Sequence, residues 1–162
     1  MSDEEKRILF QSKTTPEFRF LSNFHLCKIQ DVFANTFDSV EHMYQTYKAT
    51  NREDYDFVYS SKTPAEARTR GQKIKAHANW DEIKDGTMEM CVRFKFVQNA
   101  ELREMLLATE GFELVEFAPW DKHGSYWGVN KEGKGENKLG KILMAIRDQL
   151  LAEKKERDAK EA

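Results

Sequence analysis

The stretch SVEHMYQTYK, residues 39–48, decides the local fold and carries the densest group of reactive side chains in the chain. Apolar residues recur there at i, i+3, i+4 and i+7 from Val40, which is the period of a helix that packs on one face. Ser39 is a favoured helix N-cap, and so is Asp38 before it. The pattern therefore predicts a helix that begins at Asp38 or Ser39.

Three polar residues of this helix share one stripe. Glu41, Gln45 and Lys48 are spaced i, i+4, i+7, so their side chains fall together beside the apolar stripe. An acid, an amide and an amine at the rim of an apolar face fit the roles of proton donor, orienter, and nucleophile or cation. The helix dipole alone also favours Glu in a first turn and Lys near a last turn. Spacing by itself favours this second, structural explanation.

Capping residues and apolar spacing predict four more helices further along the chain. They begin at Thr63-Pro64, at Asp81 (as far as about Val97), at the cap Asn99 (stopped by Gly111) and at about Lys138. Short strands are predicted at residues 8–10, 17–20 and 113–117, with a ribbon over 28–37 that turns at Ala34-Asn35. The predicted fold class is mainly α with a few short β-strands (α+β), in a single domain.

Composition excludes several classes of protein. The 162 residues include 26 Lys and Arg against 28 Asp and Glu, for a formal net charge of −2. That near balance excludes a strongly basic nucleic-acid coat protein and an acidic tail protein. No apolar run approaches the ~20 residues of a membrane span, and the opening MSDEEKR is polar. We therefore expect no membrane partner and a cytoplasmic location.

Cysteine and histidine are scarce. Cys27 and Cys91 lie far apart among apolar residues, which favours two buried thiols over one disulfide. None of the four histidines forms an HxH or HExxH pattern or joins a CxxC pair. We therefore expect neither a metal site nor another cofactor.

Two more segments have compositions that fit ligand binding. Residues 119–137 hold four of the eight glycines and three aromatic rings, and they end at a predicted helix N-terminus. The flat rings suit stacking on a base, the glycines let the main chain approach a ligand closely, and the free N–H groups of a helix N-terminus suit phosphate. The alternative is an ordinary surface loop. The length and composition of residues 119–137 favour a functional loop. Arg68, Arg70 and Lys73, before Trp80, form either a phosphate clamp or, more commonly, a solvated charged face.

These residues together resemble the NADAR (YbiA-like) family. The likeness begins with FLSNF at 20–24 and SVEHMYQ at 39–45 with Lys48, and it continues through PAEAR at 64–68, Gly71, NWD at 79–81, ELREMLLAT at 101–109, LVE at 114–116, YWG at 126–128 and GENKLG at 135–140. It covers residues 18–150 in unbroken order. We therefore divide the chain into an N-terminal lead-in (1–17), a NADAR domain (18–150) and a charged C-terminal helix end (151–162).

The resemblance implies a mainly helical YbiA-like fold and N-glycosidase activity. Some members of the family remove ADP-ribose from the exocyclic amine of guanine and oppose ADP-ribosyltransferase toxins. Others hydrolyse phosphorylated intermediates of riboflavin synthesis. The resemblance places the family's functional glutamate at Glu41, its lysine at Lys48, and its two tryptophans at Trp80 and Trp127.

The family's aspartate has no direct counterpart. Gly124 stands at its usual place, three residues before Trp127, and Asp121 is the nearest acid, before a short insertion at 122–125. We take Asp121 as the third catalytic candidate. Gln72 is a second departure, because an arginine often follows the glycine there.

The chemistry of the bond explains why these residue types are needed. Cleavage of a ribosyl C1′–N bond builds positive charge on the sugar and negative charge on the leaving nitrogen. Glu41 would donate a proton or activate water, and Asp121 would face the cation. The sugar can instead open to an imine that Lys48 intercepts. The expected substrate-binding residues are Phe20, Ser22, Asn23, Tyr44, Gln45, Arg68, Trp80, Trp127, Gly128 and Asn137.

Three functions follow from this reasoning. The first is removal of ADP-ribose from guanine, with an ADP-ribosylated guanine nucleotide or nucleic acid as partner and a functional pairing with an ADP-ribosyltransferase toxin. The second is cleavage of a small phosphorylated N-glycoside from riboflavin synthesis. The third is a non-catalytic sensor of NAD or ADP-ribose, and the presence of both Glu41 and Lys48 counts against it.

Overall fold

The structure, a computed structural model, describes residues 2, 6–13, 16–120 and 125–162. Its strands are β1 (Arg7–Phe10), β2 (Ile29–Gln30), β3 (Thr36–Phe37) and β4 (Glu113–Glu116). Its α-helices are α1 (Val40–Thr46), α2 (Arg52–Tyr59), α3 (Pro64–Gly71), α4 (Trp80–Gln98), α5 (Ala100–Leu107) and α6 (Lys138–Glu161), and a 3-10 helix spans Pro16–Leu21. The predicted class, mainly helical with a few short strands, is confirmed.

Contacts divide the chain into two compact units. The central unit comprises residues 23–100, and the terminal unit comprises residues 1–22 and 101–162. Glu41 and Lys48 belong to the central unit, and Trp127 belongs to the terminal unit.

In the central unit, α1 lies at the core. It contacts α2, α3, α4 and β3, and every residue from Val40 to Thr46 is buried. The predicted start is confirmed, because Ser39 is the N-cap and its hydroxyl accepts the backbone N–H of His42 at 3.1 Å. Burial on all sides of α1 brings its polar residues inside with the apolar ones. The spacing of the apolar residues predicted one buried face and did not predict that the polar side chains are buried too.

The predicted ribbon is the antiparallel pair β2–β3, and its turn is organised by Asp31. The Asp31 carboxylate accepts the backbone N–H groups of Phe33 at 3.0 Å and Asn35 at 2.9 Å. It also accepts the hydroxyl of Tyr47 at 2.8 Å. Ala34 has a left-handed φ of 65°, so side-chain hydrogen bonds hold a turn that has no glycine.

In the terminal unit, β1 and β4 pair in parallel and α6 packs on β4. Leu139 and Leu143 of α6 are fully buried. The buried guanidinium of Arg147, on the same helix, donates to the carbonyls of Thr109 and Phe112, both at 2.8 Å. These bonds fix the turn that precedes β4 against α6.

Several predicted helices are confirmed, and one was missed. The helix predicted at Thr63 is α3, where the Thr63 hydroxyl accepts the N–H of Glu66 at 3.1 Å. The helices predicted from Asp81, Asn99 and Lys138 are α4, α5 and α6. The helix α2 was not predicted, and only Val58 is buried along it.

Four local expectations were wrong. Residues 17–20 lie in the 3-10 helix and not in a strand, because the neighbours Phe20 and Leu21 are both buried, which an alternating strand does not allow. The helix at Ser39 ends at Thr46, so Lys48 lies in the turn after it. The Asn99 amide donates to the Lys95 carbonyl at 2.9 Å, at the end of α4, and no cap bond to α5 is seen. Of the two free thiols, Cys91 is buried but Cys27 is half-exposed.

In the part of the chain that the structure describes, none of the helices combines the length and hydropathy of a membrane-spanning segment.

Candidate active site

Glu41 lies in the first turn of α1 and is 7% exposed. Its backbone N–H donates to the carbonyl of Asn23 at 3.0 Å. Its side-chain Oε1 accepts the Nε2 amide hydrogen of Gln45 at 2.7 Å, one turn further along. The acid is therefore fixed by one main-chain and one side-chain bond inside the central unit.

The environment of Glu41 favours its protonated form. Burial raises the pKa of this carboxyl, against the opposing effects of the Gln45 hydrogen bond and of the charges on Arg68 and Lys48. A carboxyl with a raised pKa keeps its proton to higher pH than a free carboxyl does, which suits a proton donor.

Lys48 lies in the turn that follows α1, where its backbone N–H donates to the carbonyl of Gln45 at 3.2 Å. Burial lowers the pKa of its amine, and the Arg68 charge lowers it further, while Glu41 acts in the opposite direction. A lowered pKa increases the fraction of neutral amine, which is the nucleophilic form. The acid and the amine thus depart from their usual pKa values in opposite directions.

Two aromatic rings lie beside the Lys48 amine. Its Nζ is 5.8 Å from the ring centroid of Tyr44 and 6.0 Å from that of Trp80. The two rings are in contact, with centroids 5.2 Å apart and planes tilted by 51°. Tyr44 is buried and Trp80, the first residue of α4, is half-buried. Flat faces of this kind suit a heterocyclic base beside the amine.

Of the predicted cationic clamp, only Arg68 is linked to this group. It is exposed on α3, and its charge acts on both Glu41 and Lys48. Arg70 instead pairs with Glu66 and donates to the carbonyl of Phe57 at 2.8 Å, so it ties α3 to α2. The central unit therefore groups Glu41, Tyr44, Gln45, Lys48, Arg68 and Trp80.

Gly71 at the end of α3 is a residue whose role sequence analysis missed. A Cβ added there would lie 2.0 Å from Gln45 Oε1 and 2.8 Å from its Cδ. Only glycine lets α3 approach the Gln45 amide this closely. The one signal for Gly71 in the sequence was its place within the family resemblance. Its spacing from other residues did not predict a role for it.

Three predicted substrate-binding residues near residue 22 are buried. The Asn23 amide donates to the sulfur of Met88 at 3.4 Å, and its carbonyl supports the start of α1. Phe20 and Ser22, at the end of the 3-10 helix in the terminal unit, are 4% and 5% exposed. The two contacts given for Asn23 hold the fold.

The remaining predicted residues belong to the terminal unit. Trp127 is half-buried and meets Tyr126 edge to face, with centroids 5.0 Å apart. Gly128 lies so close to β4 that a Cβ would fall 2.4 Å from the Glu116 carbonyl. Asn137 has a left-handed φ of 48° and bonds β4 through its amide. Asp121, the third catalytic candidate, lies outside the described residues.

Among the described residues, no group of three or more His, Cys, Asp or Glu side chains has the arrangement of a metal site.

Comparison with known proteins identifies the family. The family model of the NADAR domain matches residues 9–151. The N-glycosidase YbiA of Shigella flexneri is 36% identical over 143 residues, which cover 87% of each chain. The chain is also similar to the maize chloroplastic riboflavin biosynthesis protein PYRR, 34% identical over 167 residues, which cover 93% of this chain and 26% of that protein.

A solved structure agrees with this assignment. The NMR structure of the Escherichia coli protein YbiA matches 95% of this chain and 89% of that chain, with a TM-score of 0.81 and 35% identity. This similarity confirms the predicted YbiA-like fold. The relatives named N-glycosidases confirm the predicted enzyme class, an N-glycosyl hydrolase. The chain belongs to the NADAR domain family.

Proposed function

We propose that this chain releases ADP-ribose from the exocyclic amine of guanine by hydrolysing the C1′–N bond, with Glu41 and Lys48 as the catalytic residues. One observation carries the proposal: a buried acid with a raised pKa and an amine with a lowered pKa share one aromatic-lined site. That pairing fits a reaction that needs a proton donor and a neutral amine at the same pH.

The proposed reaction begins with opening of the ribose. Glu41 gives its proton to the ring oxygen, and the bond from that oxygen to C1′ breaks as the guanine nitrogen forms an imine with C1′. The neutral Lys48 amine then adds to C1′. The guanine amine leaves with a proton, and a Lys48 imine remains on the sugar. Water adds to this imine, the C1′–N bond to Lys48 breaks, and free ADP-ribose departs as the amine and the acid are restored.

The surroundings of the two groups fit a flat base joined to an anionic sugar. Trp80 and Tyr44 offer ring faces near the amine, and the exposed Arg68 offers a cation for the diphosphate. With a net charge of −2, the chain is poorly suited to grip a long duplex. We therefore expect it to read a single extruded or unpaired nucleotide. In a cell, such an enzyme would reverse the action of an ADP-ribosyltransferase toxin.

A second candidate substrate is a phosphorylated ribosylamine of riboflavin synthesis. It is favoured by relatives that are named riboflavin biosynthesis proteins, from maize and from Vibrio vulnificus. The match spans only 26% and 35% of those two proteins, so their names also cover segments outside the matched part. Both candidate substrates carry a phosphorylated ribose on an exocyclic amine.

The test is a direct competition between substrates. The purified chain is incubated with a guanine-ADP-ribosylated oligonucleotide and, separately, with the riboflavin intermediates, and products are followed by mass spectrometry. Release of ADP-ribose with unmodified oligonucleotide supports the proposal, provided that Glu41→Gln abolishes it. Cleavage of the riboflavin intermediates alone would replace the first substrate with the second. Binding of ADP-ribose without any cleavage would overturn the enzyme assignment in favour of a sensor.

A further inference from the structure

The Gln45 amide is buried between α1 and α3, with its Nε2 toward Glu41 and its Oε1 toward Gly71. Gln45 is 5% exposed, and its Nε2 donates to Glu41 Oε1 at 2.7 Å. Its own Oε1 is buried and accepts no hydrogen bond from any residue that the structure describes. Buried polar atoms without a partner are uncommon in native proteins, and each one calls for an explanation.

Gly71 explains how the amide is held there. Because this residue has no side chain, its main chain packs directly against the far end of Gln45. A methyl group at position 71 would lie 2.0 Å from the amide oxygen and 3.0 Å from Gln45 Cβ, so the whole side chain would have to move. The space between α1 and α3 accepts the amide only while residue 71 is glycine.

The contact has a chemical consequence for Glu41. A carboxyl oxygen that accepts an amide N–H is a poor place for a proton, since both hydrogens would point at each other. The proton of the neutral acid is therefore directed to the second oxygen, Oε2. The same hydrogen bond stabilises the ionised form and offsets part of the effect of burial.

We infer that Gln45, seated against Gly71, is a positioning residue that fixes which oxygen of Glu41 carries the transferable proton. This inference rests on the proposed function, because it assigns a purpose to the proton of Glu41. The contact favours the role of orienter that the spacing allowed for Gln45 over the substrate binding that was also expected of it. Neither residue needs to touch the substrate for this role.

Other charged and titratable groups also act on Glu41 and must be held constant in a test. Lys48 acts from the turn after α1, Arg68 acts from α3, and the buried thiol of Cys91 lies nearby on α4. Burial raises the pKa of the Cys91 thiol, and the Glu41 charge raises it further, so this group stays neutral. None of the three is changed by substitutions at positions 45 and 71.

The experiment uses two variants and one matched control. Gln45→Met removes the amide donor and keeps a buried side chain of similar length. Gly71→Ala leaves α1 unchanged but displaces the amide. Gly86→Ala makes the same chemical change on α4, where a Cβ meets nothing within 4 Å. Thermal unfolding of all three shows how much of each chain is folded.

The first measurement needs no substrate. The Glu41 carboxyl is titrated by carbon-13 NMR in the intact protein, with its resonance assigned from Glu41→Gln. We expect the pKa of Glu41 to rise further in Gln45→Met and in Gly71→Ala and to stay unchanged in Gly86→Ala. An unchanged pKa in Gln45→Met would overturn the inference, even if Gly71→Ala fails to fold.

The second measurement is the pH profile of kcat/KM on whichever N-glycoside the native chain cleaves. We expect the limb that reports Glu41 to move to higher pH, with kcat reduced roughly tenfold or more, a part of the ~10²–10⁴ that general acid–base catalysis supplies. A native kcat and profile in Gln45→Met would also overturn the inference. If the native chain cleaves nothing, the proposed function fails, and the NMR titration still decides the coupling between Gln45 and Glu41.

Discussion

Two buried polar arrangements, one in each unit, differ in how completely their hydrogen bonds are satisfied. In the terminal unit, Asn137 is 7% exposed; its Oδ1 accepts the N–H of Glu116 at 3.1 Å, and its Nδ2 donates to the carbonyl of Leu114 at 2.9 Å. In the central unit, Glu41 and Gln45 bond to each other, and Gln45 Oε1 accepts no bond from any described residue.

The difference distinguishes buried polar side chains that stabilise the fold from those that serve a functional site. Fully paired groups such as Asn137 stabilise the fold, because each bond replaces one lost to water. Groups left incompletely paired cost stability, and such cost is commonly found at functional sites. By this criterion Asn137, which was predicted to bind substrate, has the contacts of a structural residue.

The largest expected effect comes from Lys48→Arg. The substitution keeps the positive charge, but a guanidinium does not supply a neutral nucleophile. We expect no detectable turnover and no covalent adduct, whereas the native chain with substrate and borohydride should give an adduct by mass spectrometry. Near-native turnover by Lys48→Arg would mean that Lys48 only holds an anionic group of the substrate. The reaction would then be a direct hydrolysis assisted by Glu41.

The second prediction concerns Glu41→Gln, which tests whether the acid costs stability. Activity should fall by at least the ~10²-fold that general acid–base catalysis provides. Because the pKa of Glu41 is raised on folding, its contribution to stability declines as the pH rises from about 4.5 through the folded pKa. The gain in Tm of Glu41→Gln over the native chain should therefore be larger at pH 7 than at pH 4.5. A variant less stable than the native chain at pH 7 would contradict this.

The third prediction places Asn137 on the structural side of the comparison. Asn137→Ala removes the side-chain bonds to the Glu116 N–H and to the Leu114 carbonyl, at about 1–3 kcal/mol each. It also puts alanine in a left-handed conformation. We expect a loss of about 3 kcal/mol or more in the free energy of unfolding, measured with urea, and a smaller loss for Asn137→Gly.

Activity per folded molecule is the control for Asn137. It should stay near the native value in Asn137→Gly at a temperature where that variant is folded. A large loss of substrate affinity with native stability would return Asn137 to the substrate-binding residues.

Local signals in the sequence were sufficient for most helix starts. Thr63 with Pro64 placed the start of α3, and Ser39 placed the start of α1. The missed helix α2 had a comparable signal, because Asn51 Oδ1 accepts the N–H of Asp54 at 2.8 Å. The apolar spacing of Tyr55, Val58 and Tyr59 was a second signal, but it covers only one turn and was overlooked.

The chemistry of the site was harder to predict, because it depends on contacts distant in sequence. The spacing of Glu41 and Gln45 placed them together, but their burial comes from the packing of α3 and α4 on α1. The approach of Gly71 to Gln45 joins positions 26 residues apart, and nothing in either local segment encodes it. The end of α1 at Thr46 likewise places Lys48 in the following turn, although its amine still lies beside the Tyr44 ring.

The smallest expected effect is the pH dependence of His42, which extends the comparison to a neighbour of Glu41 on α1. Both of its ring nitrogens are engaged: Nδ1 accepts the N–H of Asp38 at 3.3 Å, and Nε2 lies 2.8 Å from the carbonyl of Tyr59. Burial lowers the pKa of His42, and the same holds for the half-buried His25. The unfolded chain then binds more protons, so stability is full above pH 6.5 and is lost as the pH falls from there through the folded pKa. The contribution of Glu41 changes in the opposite direction over this range, but it is common to both proteins. We therefore expect urea unfolding between pH 7.5 and 5.5 to show a smaller loss of stability in His42→Gln than in the native chain. An equal slope in both proteins would show that His42 is as easily protonated in the folded chain as in the unfolded one.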